Sequence, residues 1–262
     1  MDMKFLIVNA DDFGFSQAIN EGVCEAHRKG IVTDASLLVR SPYAVHALNL
    51  AKEAELPVGL HIDFVTPFAQ ANAPDFGPES RLLKELFNRE YNHEIAGVFS
   101  CEELLKVRDE LRRQVEDFRK MAGRLPSHLD YHFGLHYLPD VMAIYLFVAE
   151  SYGLPVRWGV QYAGNNPLVL APARLCDRFR GLKAGGVEFF LSLLQDEWKG
   201  VLEILCHPGY YTAEGLTDSY NLEREYELQT LVHPRLKAEI ERTGIQLVNY
   251  DWLNEHRGSE LL

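Results

Sequence analysis

The feature that most constrains this chain is its alternation of short β-forming runs with helical stretches. "KFLIVNADD" is rich in β-branched and apolar residues, and "SQAINEGVCEAHRKG" follows it with helical periodicity, Ser16 placed to cap and Gly30 to stop. "IVTDASLLV" predicts a second strand, and "SPYAVHALNLAKEA" a second helix with Ser41 at the cap and Pro42 at its first position. "PVGLHIDF" reads as a third strand. Then comes "VTPFAQANAPDFGPES", a long Pro/Asn/Gly-bearing connection with the composition of a functional loop. Residues 100–123 predict the clearest helix, with Ser100 and Glu103 forming a capping box and Gly123 closing it. "PSHLDYHFG", "PVRWGV" and "GVLEILC" supply further strands, with helices at "PDVMAIYLFVAESYG" and "GVEFFLSLLQDEW". A helical region after Asn221, kinked at Pro234, and a last strand "IQLVNY" complete about seven strands. Such alternation implies an α/β protein with a mostly parallel sheet and helices outside it, closed as a barrel or left open.

At 262 residues the chain suits one domain, 1–262, better than two. Hydrophobic residues make up 47% and charged residues 24%, enough for a sizeable core. A net charge of -12 repels a phosphate backbone, so nucleic acid is not an expected partner. The N-terminal apolar run is too short for a signal peptide, and no segment approaches a membrane span, so a cytoplasmic protein without a membrane partner is expected. Cys24, Cys101, Cys176 and Cys206 lack metal-type spacing and read as free thiols.

Polar residues collect where strands end. The first strand ends in Asp11 and Asp12, the third in His61 and Asp63, the fourth in Asp130 and His132, the fifth in Arg157 and Trp158, and the sixth in His207. In a parallel barrel these ends share the face where active sites lie. Two adjacent carboxylates need a reason to stay ionised, and a divalent cation supplies one; one aspartate would hold it while its neighbour handles a proton. The competing reading is a helix cap or an Asx-turn. Phe64, Phe68, Trp158, Tyr210 and Tyr211 are candidates for stacking on a ring or for plain packing.

"IVNADDFGFS", "VGLHIDF", "PSHLDYHFGLH" and "CHPGYY", in that order, resemble the four signature blocks of the YdjC-like carbohydrate deacetylase family, which includes chitooligosaccharide deacetylases. With "GIVTDASLLV" the similarity spans most of residues 4–210. The resemblance implies a (β/α) barrel-like fold and metal-dependent removal of an N-acetyl group from an amino sugar. It carries over Asp12, His61 and His132 as metal ligands, Asp11 as catalytic base and His207 as acid. The cofactor is then a divalent metal ion, magnesium or zinc, and the partner an N-acetylated sugar, with a second copy of the chain left open. Asp130, Arg157, Trp158 and Tyr210 are expected around the site or against substrate, Arg157 pairing with Asp11 or Asp130. One block departs from the family: Tyr131, Phe133 and Gly134 stand where Ser and two polar residues are usual, which bears on substrate identity more than on metal binding. Two imidazoles and one carboxylate also describe the facial triad of non-haem iron oxygenases, and a metal-dependent phosphoesterase or a non-catalytic metal- or sugar-binding barrel are further alternatives.

Overall fold

The computed structural model describes residues 3–64, 66, 100–132, 139–157, 170–212 and 220–259. Strands β1 (Lys4–Phe13), β2 (Asp34–Leu37), β3 (Val58–Ile62), β4 (Leu129–Tyr131), β5 (Arg174–Cys176), β6 (Gly200–Cys206) and β7 (Gln246–Leu247) form one sheet. Its order is β4-β3-β2-β1-β6-β5, β7 joins the first residues of β1, and every pairing is parallel. The helices are α1 (Gln17–Lys29), α2 (Ala44–Ala54), α3 (Cys101–Ala122), α4 (Pro139–Tyr152), α5 (Gly181–Ala184), α6 (Val187–Gln195), α7 (Leu222–Leu231), α8 (Pro234–Thr243) and α9 (Tyr250–Glu255). The sheet curls into a half-barrel with helices around it, the (β/α) barrel-like class read from the sequence.

Strand periodicity explains what lies inside. On β1, Leu6, Val8 and Ala10 join the large core beneath the helices, whereas Phe5 and Ile7 join a smaller cluster with Val201, Val248, Tyr250 and Leu253. Successive side chains alternate faces, so Asn9 and Asp11 continue the Phe5–Ile7 face, and all four are buried. Each neighbouring strand behaves likewise. Asp34 and Ser36 of β2, His61 of β3, Asp130 of β4 and Glu203 of β6 are buried, while their sequence neighbours Ala35, Leu37, Leu60, Ile62, Leu129, Leu202 and Ile204 face the helix-side core. The inner face is thus apolar at its base and polar towards the strand ends.

Several sequence-level expectations are refined. Ser16 caps α1 by accepting from Ile19 N–H, and the Ser100–Glu103 capping box opens α3, which ends on the left-handed Gly123. Helix α2 starts later than expected, with Tyr43 at its cap; Ser41 instead donates to the Gly14 carbonyl and accepts from Tyr43 N–H, pinning its turn to the loop after β1. Of "PVRWGV", Pro155, Val156 and Arg157 are described, and the rest lies outside the described residues. Val156 forms one bridge with Leu129, flanked by Leu129 N–H to Pro155 O and Arg157 N–H to Leu129 O, and Pro155 has no N–H to extend the ladder backwards. Among the described residues the fifth strand is Arg174–Cys176, beyond the stretch expected to be irregular. The last strand is only two residues long, and Asn249 then caps α9 through Trp252 N–H. Cys24, Cys176 and Cys206 are buried free thiols and Cys101 is exposed. No helix among the described residues is long and apolar enough to cross a membrane. The connection 65–80, Thr66 apart, lies outside the described residues.

Helix α3 steadies the end of β3 with polar groups on its buried face. Gln114 accepts from Asp63 N–H at 3.0 Å and donates to Asp63 O at 2.8 Å and to Glu110 at 2.7 Å. Burial pushes the Glu110 carboxyl up to about 7, against the pull of Arg40, Gln114 and Arg113. The folded state therefore binds more protons at Glu110 than the unfolded chain, so stability falls as pH rises from the ordinary glutamate range through about 7. Glu110→Gln should raise stability at pH 8 by roughly 1–3 kcal/mol, with the gain vanishing near pH 4. Urea unfolding at the two pH values measures this; an equal gain at both would contradict it.

Candidate metal and catalytic centre

Asp11 and Asp12 reach the same strand end because β1 breaks its regular pleat there. Asp12 has φ 62, in the left-handed region, and the β1–β2 register shifts between Ala10 and Phe13. Without that irregularity Asp12 would point into the helix-side core. Gly14, at φ 95, completes the turn, and a Cβ there would press on Leu37 at 3.1 Å.

Asp12, His61 and His132 come together. Asp12 Oδ1 lies 2.9 Å from His132 Nδ1 and 3.4 Å from His61 Nε2, and the two ring nitrogens are 3.3 Å apart. Donors about 2.1 Å from one cation sit about 3.0–3.4 Å from each other in octahedral or tetrahedral geometry, so this triangle has the dimensions of three ligands on one ion. Oδ1 of Asp12 is buried and makes no well-aligned hydrogen bond, and the two imidazole nitrogens face it. His61 is oriented from behind, its Nδ1 lying 2.7 Å from Asp130 Oδ1 and 3.2 Å from Ser36 Oγ. That bond to a carboxylate places the Nδ1 proton and turns Nε2 towards Asp12, the usual support for a ligating imidazole. Burial opposes charge on His61, but the charges of Asp130 and Asp11, with the close approach of Asp12 and the hydrogen bond to Asp130, outweigh it and raise the ring to about 10. Ligation through Nε2 requires the ring to give up its second proton. Burial likewise opposes ionisation of Asp12, yet Arg224, His132 and His61 hold its carboxyl well below the usual range.

Asp11 sits beside this triangle in a bidentate pair with Arg157, at 2.7 and 2.6 Å, and accepts from Asn9 at 2.9 Å. The same guanidinium reaches Asp130 at 3.1 Å and Glu203 at 2.9 Å, and Glu203 accepts from Tyr250 at 2.7 Å. Asn9 also donates to Asp130 at 3.1 Å and Ser36 at 3.2 Å. Asp11, His61 and Asp130 form a second group of close donors, but Arg157 already bridges its two carboxylates and takes the place of a cation there.

His207 follows β6. Its backbone N–H donates to Glu227 at 2.6 Å, its ring meets Tyr220 edge-on at 5.7 Å, and its buried Nδ1 makes no hydrogen bond. Burial holds its pKa below the usual histidine value, opposed by the charges of Glu227, Asp12 and Asp11. The turn after it packs against α1: Tyr210 N–H donates to Ala18 O, and its hydroxyl donates to Glu25 at 2.7 Å. That close approach needs glycine, since a Cβ on Gly22 would lie 2.6 Å from Gly209 Cα. Tyr210 is therefore tied to α1, Phe64 is buried and Tyr211 is half exposed; Trp158, Phe68, Phe133, Gly134 and His136 lie outside the described residues.

Sequence reasoning passed over Asn9, Ser36, Glu203, Arg224, Glu227 and His128. The inward phase of β1, β2 and β6 pointed to the first three. His128 stacks on Tyr250 at 3.8 Å between centroids, in space left by Gly59, whose Cβ would collide with the ring.

Residues 5–242 match the family model described as YdjC-like protein. A carbohydrate deacetylase of Brevibacillus brevis is 35% identical over 95% of this chain and 99% of its own length. A chitooligosaccharide deacetylase of Serratia marcescens is 32% identical over 94% and 98%. A crystal structure from Enterococcus faecalis V583, provisionally assigned to cellobiose-phosphate cleavage, superposes with TM-score 0.76 and 28% identity over 96% of this chain and 99% of that one.

Removing Arg157 strands buried carboxylates. Arg157→Met should destabilise the protein by roughly 3–5 kcal/mol at pH 8, partly recovered at pH 5 as those carboxyls protonate. Denaturant unfolding at both pH values reads this, and a loss below about 1 kcal/mol would mean the inner face does not depend on the guanidinium.

Proposed function

The chain belongs to the YdjC-like family, and from that premise we propose that it is a metal-dependent hydrolase, one domain over residues 1–262, that removes the N-acetyl group from an amino sugar or chitooligosaccharide. The observation that carries this is the triangle of Asp12 Oδ1, His61 Nε2 and His132 Nδ1 next to Asp11. The deacetylase names of the relatives supply the substrate class.

Asp12, His61 and His132 would hold the cation, leaving further coordination positions open. Two nitrogen donors suit zinc better than magnesium, which prefers oxygen. When bound, the cation supplies Lewis acidity that eases ionisation of water and offsets charge developing on the acetamide oxygen. Asp11 accepts the proton of the attacking water. Arg157 holds both Asp11 oxygens, fixing the carboxylate's plane. As the C–N bond breaks, the sugar nitrogen must leave as an amine, and His207 delivers its proton. Depression of its pKa makes protonated His207 a stronger donor, and the bond from its backbone N–H to Glu227 fixes where the residue stands. Acetate and the free amino sugar are the products.

Amine release from N-acetylglucosamine oligomers, with zinc, magnesium, manganese or cobalt added anaerobically, tests the reaction. Asp11→Asn should reduce hydrolysis by at least about 100-fold while the protein still binds metal, measured by product assay and metal analysis together. Unchanged turnover would remove Asp11 as the base, and strict dependence on oxygen and ferrous iron would replace the hydrolase reading altogether.

A further inference from the structure

Helix α7 carries a buried arginine aimed at the metal triangle. Arg224 Nη2 donates to Asp12 Oδ2 at 2.6 Å, and its guanidinium lies 5.7 Å from the Phe15 ring centre and 5.6 Å from that of Tyr220. The two oxygens of Asp12 are therefore divided: Oδ2 is held by a charged donor, and Oδ1 faces His61 and His132. We propose that Arg224 is a positioning residue that restricts Asp12 to one-oxygen ligation, keeping open the coordination position that water needs.

The inference rests on the metal-dependent reading above. A carboxylate free at both oxygens can chelate, taking a second position on the ion. A guanidinium on Oδ2 prevents this and also offsets the carboxylate charge, so three donors remain. The backbone of Asp12 is in a left-handed conformation that a non-glycine residue adopts at a cost, which makes an external tether for its side chain more consequential. The same helix reaches the proton-donor side. The Arg224 carbonyl accepts from Gly209 N–H at 3.2 Å, and Glu227, one turn further along, accepts from His207 N–H at 2.6 Å. One rigid helix thereby fixes the metal ligand and the turn bearing His207 relative to each other.

Cobalt in place of the native ion reports coordination number directly, because four-coordinate cobalt absorbs visible light far more strongly than six-coordinate cobalt. Arg224→Met keeps length and apolar packing while removing the charged donor. Its cobalt band should fall by about half or more, and kcat for amine release at least about tenfold with little change in KM. Arg224→Lys, whose ammonium can still donate to Oδ2, should recover most of the band. A folded Met variant with the wild-type band, or a Lys variant no better than Met, overturns the proposal; if Met prevents folding, Arg224→Leu, which also lacks a donor, is judged by the same criterion. Wild-type protein that binds cobalt yet deacetylates no sugar would refute the proposed reaction while leaving the spectral test of Arg224 intact. Wild-type protein that binds no cobalt removes the shared premise before any variant is made.

Discussion

The inner face of this half-barrel depends on one guanidinium. Arg157 meets Asp11, Asp130 and Glu203, contributed by three different strands, and all four side chains are buried. Carboxylates taken out of water need an opposite charge and hydrogen bonds within reach. Burial prevails at Glu203, whose carboxyl is raised despite Arg157 and Tyr250, whereas Arg157 and His61 keep Asp130 well below the ordinary range. The cation therefore does more than join strands. It makes ionised Asp130 available to orient His61, and it sets the plane of Asp11 at the strand end. Packing, charge balance and the geometry of the metal triangle are linked through this side chain.

Much of this was legible in the sequence for one reason. A parallel strand buried on both faces usually reads as continuously apolar, yet β1, β3 and β4 end in charged residues, and a parallel barrel brings those strand ends to one mouth. Asp11, Asp12, His61, Asp130 and His132 follow from that reading. The pairing of Arg157 with Asp11 or Asp130 was also anticipated, although the structure shows both. Arg224 and Glu227 were not legible because α7, "LEREYELQTL", has the composition of a solvated helix. Only tertiary contact reveals that its charges point inward. Local turns failed for a similar reason: Ser41 has the signature of a helix cap, but its hydroxyl finds the Gly14 carbonyl 27 positions away in the chain.

The adjacent aspartates show how structure revises an argument made from residues alone. Two neighbouring carboxylates suggested a cation that keeps both ionised. The fold supplies two cations of its own. Arg157 takes Asp11 from the barrel interior, and Arg224 takes Asp12 from α7. Adjacency by itself therefore gives no support for a metal. The case for one rests on what the arginines leave: a buried Asp12 oxygen without a well-aligned hydrogen bond, and two imidazole nitrogens drawn to within 3.4 Å of it. Had the chain needed only to neutralise the two aspartates, the arginines would have sufficed, and neither His61 backed by Asp130 nor a left-handed Asp12 would have been required. The convergence of these features on one oxygen is what an ion would use.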